Sequence, residues 1–350
     1  MGSVFHHEGL AGRSSCCYNV SNRYTEQRGA VRIRRFEKTD IPFAVGLGNL
    51  IYPFSPRNVE LVTREHERRR YRVDRYHEDF IGEVDGAPAA RLQLVHNELA
   101  GEPGTFNISI VVDPAHRGRG CGRELWELAR RRLKLLDWHR LTASVAADQR
   151  AARDWLERLG FACVHEDRFF RLRLADYQRP ADYDERLARV ADQGIELVYI
   201  GGIDDLDERT KRRKLWDIWS SCEADVPHGM EYERMPYEHW KRMVDNPVYD
   251  LDGMLVARDG DDFVGVTGLI YPGGRALPGF VIITGVRPAY RRRGIATALK
   301  YRDMDGAAQR GVAELITGNA VGNEGVLRIN LRLGFQHLPS NLTYLLRRED

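Results

Sequence analysis

Residues 286–300 read VRPAYRRRGIATALK, and the reading of this stretch decides the fold. An apolar run before it, FVIITGV at 280–286, has the composition of a buried strand. The run after it, IATALKYRDMDGAAQ at 295–309, is expected to form a helix. A strand, a short basic turn and a helix start together make an anion site. The first amides of a helix have no carbonyl partner within it and point at whatever binds there. Gly294 lets the backbone approach closely, and Arg291, Arg292 and Arg293 add charge at the same end.

The same turn occurs earlier in the chain. DPAHRGRGCG at 113–122 places Arg117 ahead of Gly120, as RPAYRRRGIA at 287–296 places Arg291 ahead of Gly294. From Arg117 to Gly160 is 43 positions, and from Arg291 to Gly334 is also 43, each glycine standing in a Leu-Gly-Phe triplet. Two copies at one spacing indicate duplication of a domain. Residues 1–30 lack periodicity and are expected to be a disordered or loosely attached tail. Residues 31–176 and 194–350 are expected to form two domains, joined by a helical connector at 177–193. In each domain the pattern predicts a strand, two helices, a hairpin (turning at Asp85-Gly86 and near Asp259-Gly260), then the strand, turn and helix of the motif. A further strand, a helix ending at the Leu-Gly-Phe triplet and a closing strand complete each copy.

At 350 residues the chain can bury two cores. Lys and Arg total 53 and Asp and Glu 51, a net charge of +2, which gives no reason to expect a nucleic-acid or membrane partner. Hydrophobic residues at 43% suit a soluble globular protein. The five cysteines show no metal-ligand spacing, so no metal site is expected and a reducing, cytoplasmic location is. The pair Cys16-Cys17 and the pair His6-His7 read as features of the tail. The basic run at 64–76 reads as a solvated helix face rather than a nucleic-acid surface.

On the duplicated turn and its two Leu-Gly-Phe ends, the chain resembles the GNAT superfamily of acyl-CoA-dependent N-acetyltransferases. Within it, the likeness is to the tandem, two-domain type of mycothiol synthase-like actinobacterial enzymes, over roughly residues 31–350. The resemblance implies an α/β (α+β) protein of two tandem GNAT folds, each a mixed, splayed, mostly antiparallel sheet flanked by helices. It also implies acetyl-CoA, or another short acyl-CoA, as co-substrate. The pyrophosphate loop then falls on Arg117, Gly118, Arg119, Gly120, Cys121 and Gly122 in the first copy. In the second it falls on Arg291, Arg292, Arg293, Gly294, Ile295 and Ala296, with Thr297 next. The strand residues that hold the pantetheine arm fall on Ile110, Val111 and Val112, and on Thr284, Gly285 and Val286. A family Asn that contacts the arm is Asn323 in the second copy and Gln149 in the first. A family Tyr that serves as general acid is replaced in both copies, by Leu156 and Asn330. Cys121 reads as a small residue tolerated by close packing, not a nucleophile.

Attack of an amine on a thioester needs a deprotonated amine, donors for the carbonyl oxygen and alignment of the two reactants. The resemblance places the oxygen's donor at Val286 or Val112 and points to Asp225 as base or amine anchor. Asn319 and Asn330 are candidates for the acceptor pocket, and Tyr344 for the core. The solvated alternative stays open for Asp225 and its neighbour Glu223. The expected function is transfer of an acetyl or short acyl group to a small-molecule primary amine in a ternary complex. The second copy is expected to be active and the first degenerate, in a monomer or homodimer. A non-catalytic acyl-CoA-binding or regulatory protein and a protein N-acetyltransferase are the alternatives.

Overall fold

The computed structural model describes residues 24–28, 30–53, 56–70, 76–97, 104–226, 234–272, 274, 277–320 and 322–348. The expectations for Cys16, Cys17, His6 and His7 lie outside them. In the first half, β1 (Thr25–Arg28) and β2 (Val31–Arg35) lead into α1 (Ile41–Ile51) and α2 (Val59–Arg70). Strands β3 (His77–Val84), β4 (Ala87–His96) and β5 (Thr105–Val112) follow, then α3 (Cys121–Leu133) and β6 (Arg140–Ala146). The half closes with α4 (Arg150–Arg158) and the long β7 (Ala162–Arg173). After the connector helix α5 (Tyr183–Ala191) the order repeats. It runs β8 (Ile195–Tyr199), α6 (Glu208–Glu223), α7 (Tyr237–Val244), β9 (Leu255–Asp259) and β10 (Asp262–Ile270). Then come β11 (Gly279–Val286), α8 (Ile295–Gln309), β12 (Glu314–Ala320) and α9 (Glu324–Arg332). A two-residue β13 (Gln336–His337) and β14 (Asn341–Arg347) end the chain.

Two expectations need correction. Residues 25–28 are not tail: they pair antiparallel with β2, and Tyr24 packs edge-on against Phe80. Nor does the boundary near 176 separate two sheets. The strands form one sheet in the order β1-β2-β3-β4-β5-β6-β14-β7-β12-β11-β10-β9-β8, with β13 paired to β7 off this path. The last strand of the second half, β14, runs antiparallel to β6 of the first. The last strand of the first half, β7, runs antiparallel to β12 of the second. The halves therefore exchange closing strands, and their cores record it. Leu342 and Tyr344 of β14 are buried among Leu125, Trp126 and Phe161 of the first half. Phe170 and Leu172 of β7 are buried among Tyr301, Leu315 and Phe335 of the second. Tyr344 is core, as expected, and its hydroxyl donates to Glu157 Oε1 at 3.0 Å.

The sheet opens at two places. β5 and β6 are parallel but pair only from Thr105↔Arg140 to Asn107↔Thr142. β11 and β12 likewise pair only from Gly279↔Leu315 to Val281↔Thr317. Beyond these points residues 108–112 and 282–286 have no partner on that edge, so each half carries a wedge-shaped gap with strand amides and carbonyls along it. Each basic turn stands at the open end of such a gap.

Candidate active site

In both halves the turn takes one backbone conformation. Gly120 and Gly294 each stand immediately before their helix with φ 87°, in the left-handed region that glycine reaches without strain. That geometry aims the helix start at the gap. The amides of Gly120, Cys121, Gly122 and Arg123 have no carbonyl partner inside α3; the first internal bond at this end is Glu124 to Gly120 O, at 3.0 Å. The second turn is built alike, with Ala298 bonding Gly294 O at 3.1 Å. Arg292 holds the left-handed conformation, φ 62°, that Gly118 holds at φ 77°.

What fills the gap differs between the halves. In the first, a cavity of about 510 Å³ runs from the turn through the splay to the end of α1. Ile110, Val111 and Val112 form one wall, Arg117, Gly118, Gly120, Cys121 and Gly122 the mouth, and Gln149, Trp155 and Leu156 of the α4 segment the other wall. Tyr52, just after α1, closes the far end and donates to Ser144 O at 3.4 Å. Arg117 has no ion-pair partner among the described residues and faces this cavity. Among the described lining residues there is no carboxylate. Arg119 departs from expectation: it is paired with Asp85 at 3.5 Å on the exposed rim and does not line the cavity. Cys121 is buried, and burial pushes its thiol above the ordinary value, as suits a packing residue.

In the second half α6 closes down on the splay. Side chains alternate along β11, so Thr284 faces α8 and Gly285 faces α6. Cys222 of α6 packs so tightly on Gly285 that a Cβ there would collide with it. Burial pushes the Cys222 thiol up to about 12. Two ion pairs fasten this helix and the turn after it: Asp217 to Arg287, and Asp225 to Arg291. Arg291 Nε also donates to Val286 O at 3.0 Å, folding the first arginine of the turn back onto the strand. Arg293 donates to Gln193 Oε1 at 2.8 Å and covers the Tyr290 ring. The expected amine anchor, Asp225, is thus ion-paired to the basic turn itself, with both side chains about half exposed. Asn319 and Asn330 are brought together, but buried: Asn330 Nδ2 donates to Asn319 Oδ1 at 2.7 Å. Asn323 stands just before α9, as Gln149 stands before α4. The cavity of about 510 Å³ lies in the first copy, where Val111 stands at the position that Gly285 has in the second.

Sequence reading missed the polar interior behind this second gap. Lys300 and Asp303 of α8 are fully buried, in a helix whose other inward residues include Leu299, Met304 and Ala307. Lys300 takes the place that Trp126 has in the first copy, a substitution visible once the repeats are aligned on their glycines. Burial holds the Lys300 amine down to about 8, Asp303 opposing the effect. Burial raises the Asp303 carboxyl to about 6 against the pull of Arg310 and Lys300. No group of three metal-ligating side chains occurs among the described residues, and none of the described helices is long and apolar enough to cross a membrane.

The model of the acetyltransferase (GNAT) family matches residues 48–161 and 212–335, each span containing one turn and one Leu-Gly-Phe end. A mycothiol acetyltransferase from Streptomyces scabiei is 25% identical over 254 residues, covering 72% of this chain and 74% of that protein. One from Renibacterium salmoninarum is 24% identical over 259 residues, covering 71% and 69%. A tandem GNAT protein from the clavulanic acid biosynthesis pathway matches with a TM-score of 0.69 at 17% identity, over 91% of this chain and 100% of that one. A GCN5-related N-acetyltransferase from Sphaerobacter thermophilus matches at 0.67 and 19% identity, over 92% and 97%. At these identities the two structures speak for the fold alone.

Proposed function

The chain belongs to the acetyltransferase (GNAT) family and is an N-acetyltransferase; on that premise we propose that it moves an acetyl or short acyl group from acyl-CoA to a small-molecule primary amine. The observation that carries the reading is the repeated pairing of a splayed parallel strand pair with a left-handed glycine turn. The residues present fit an acyl-CoA. Unpaired helix amides and Arg117 suit a diphosphate, and the apolar cavity behind them suits a pantetheine arm. Acetyl-CoA supplies the activated acyl carbonyl. Everything else falls to the chain: it grips the diphosphate, aligns the arm along the strand edge and receives the amine's proton.

We assign the transfer to the second half and acyl-CoA holding without transfer to the first. The first cavity has no carboxylate among its described lining residues, whereas Asp225 and Asp303 both stand near the second gap. Mycothiol acetyltransferase relatives favour a small-molecule acceptor over a protein. The amine reaches the carbonyl directly, so no covalent enzyme intermediate is needed.

The test uses carboxylates in the first helical turn, where they favour the helix but repel a diphosphate. A side chain at Gly122 would meet only ordinary contacts, with Val112 at 3.8 Å and Trp155 at 4.0 Å. Ala296→Asp should abolish thiol release from acetyl-CoA on a panel of primary amines, and Gly122→Asp should leave it within a fewfold of normal. The opposite pattern reverses the assignment of halves. Unchanged acyl-CoA binding in both variants removes the reading altogether.

A further inference from the structure

The second half buries ionisable groups that its fold does not require, and they connect to the strand edge. Asp303 Oδ2 accepts from Thr267 Oγ1 of β10 at 3.2 Å, and Thr267 Oγ1 lies 3.1 Å from Thr284 Oγ1 of β11. Thr284 belongs to the part of β11 beyond its last pair with β12, at the open gap. Three hydroxyl and carboxyl groups thus form a line from the cleft edge into the core.

The polarity of that line is fixed by its inner end. The groups around Asp303 are Lys300 and Arg310 from the α8 segment, Arg310 at 3.7 Å, and the phenols of Tyr199 and Tyr271. With two cations beside it, Asp303 is ionised at neutral pH, and a carboxylate only accepts. Thr267 must then direct its one proton at Asp303 rather than at Ile283 O, its alternative acceptor at 3.1 Å. Its lone pairs are left to accept from Thr284. Thr284 has one proton too, shared between Thr267 and Ile283 O at 2.9 Å. Its oxygen therefore remains an acceptor for a donor arriving from outside. At a cleft that takes amines, the donor is N–H.

We propose that Thr284 Oγ1 is the catalytic acceptor of the attacking amine's proton, and that Thr267 and Asp303 are the positioning residues through which it is relayed. The inference rests on the reading of the second half as the transfer site. The nitrogen lone pair forms the C–N bond, and the C–S bond breaks with its electron pair going to sulfur. One N–H proton passes to Thr284 Oγ1 as Thr284 gives its own to Thr267, and Thr267 gives its own to Asp303. The carboxyl returns a proton along the same line to the thiolate, so the thiol leaves neutral and the relay is reset. No oxidant or further reactant is involved.

The test compares the wild type with Thr267→Val, which keeps the side-chain shape and removes one hydroxyl, and with Asp303→Asn. The first readout needs no ligand: the Asp303 carboxyl is titrated by difference infrared spectroscopy, with Asp303→Asn identifying its band. Loss of a hydrogen bond to the charged form should move the midpoint upward in Thr267→Val. The second is thiol release from acetyl-CoA with semicarbazide, whose amine stays unprotonated between pH 5.5 and about 9, so any acid limb belongs to the protein. The wild type should show an acid limb. Thr267→Val should lose tenfold or more in kcat, with KM for acetyl-CoA unchanged and the limb shifted or gone. An unmoved midpoint, or a Thr267→Val rate within twofold with its acid limb intact, overturns the relay and leaves the transfer reading standing. A wild type that binds acetyl-CoA in a calorimeter but releases no thiol overturns both.

Discussion

Arg291 is ion-paired with Asp225, whereas Arg117, the residue at the same place in the first copy, faces an open cavity with no ion-pair partner among the described residues. In the second turn one of the three arginines is thus held by a carboxylate of the same chain, while Arg293 pairs with the neutral Gln193. Both members of the Arg291–Asp225 pair are about half exposed, so the contact is weak enough for a diphosphate to replace.

Asp225→Asn removes the competitor without removing the arginine. An exposed pair contributes about 0.2–1 kcal/mol, so acyl-CoA binding at the second half should tighten by a factor of about 1.4 to 5. Calorimetry on a Gly122→Asp background isolates that site. Weaker binding in Asp225→Asn would mean that the carboxylate supports the ligand instead of competing with it.

Gly285 and Cys222 set how closely α6 lies on the strand. Gly285→Ala forces a methyl into the space that Cys222 fills and should cost about 1–3 kcal/mol of unfolding free energy in urea. Adding Cys222→Gly should recover most of it. In the unmodified protein, Cys222 should react far more slowly than exposed Cys163 with iodoacetamide at pH 8, because its thiol is buried and pushed up to about 12.

The Lys300 amine titrates at about 8 in the fold against an ordinary 10.5, burial being the main cause. The folded state holds that proton less tightly than the unfolded chain. Stability from this group is therefore complete above the unfolded value and lost as pH falls through about 8. Lys300→Met should relieve that penalty at pH 7, offset in part by the loss of one cation beside Asp303. The advantage should shrink toward pH 10. Denaturant titrations at the two pH values check both the sign and the trend.

Strand exchange makes each half depend on the other. Residues 31–176 expressed alone lack β14, leaving one edge of β6 unpaired and removing Leu342 and Tyr344 from the core. They should show no cooperative melt by circular dichroism, and co-expression with residues 177–350 should restore one. Tyr344→Ala in the full chain should cost about 3–5 kcal/mol.

Much of this was legible in the sequence, for identifiable reasons. The turn, the helix after it and the Leu-Gly-Phe end repeat at one spacing, and strand alternation placed both hairpins. The exchange of β7 and β14 was not legible, because RFFRLRL and NLTYLLRR carry nothing that selects one neighbouring strand over another. Register there is chosen by packing across both halves. β1 is four residues of TEQR with no apolar alternation, and edge pairing with β2 and an ion pair from Glu26 to Arg131 hold it in place. Asp225 was picked out in sequence as an anchor, yet its pairing depends on how far α6 descends, which a single glycine at 285 decides. In the sequence Lys300 is one charge on a helix, and only its place at the position of Trp126 in the other copy sets it apart.

In the proposed function the amides of the two turns grip the diphosphate of acyl-CoA, and amide hydrogen exchange reads those groups directly. With saturating acetyl-CoA, peptides covering residues 118–123 should exchange more slowly than in the free protein, and those covering 292–297 should follow at higher ligand concentration. Protection confined to other segments, with both turns exchanging as fast as in the free protein, would contradict it.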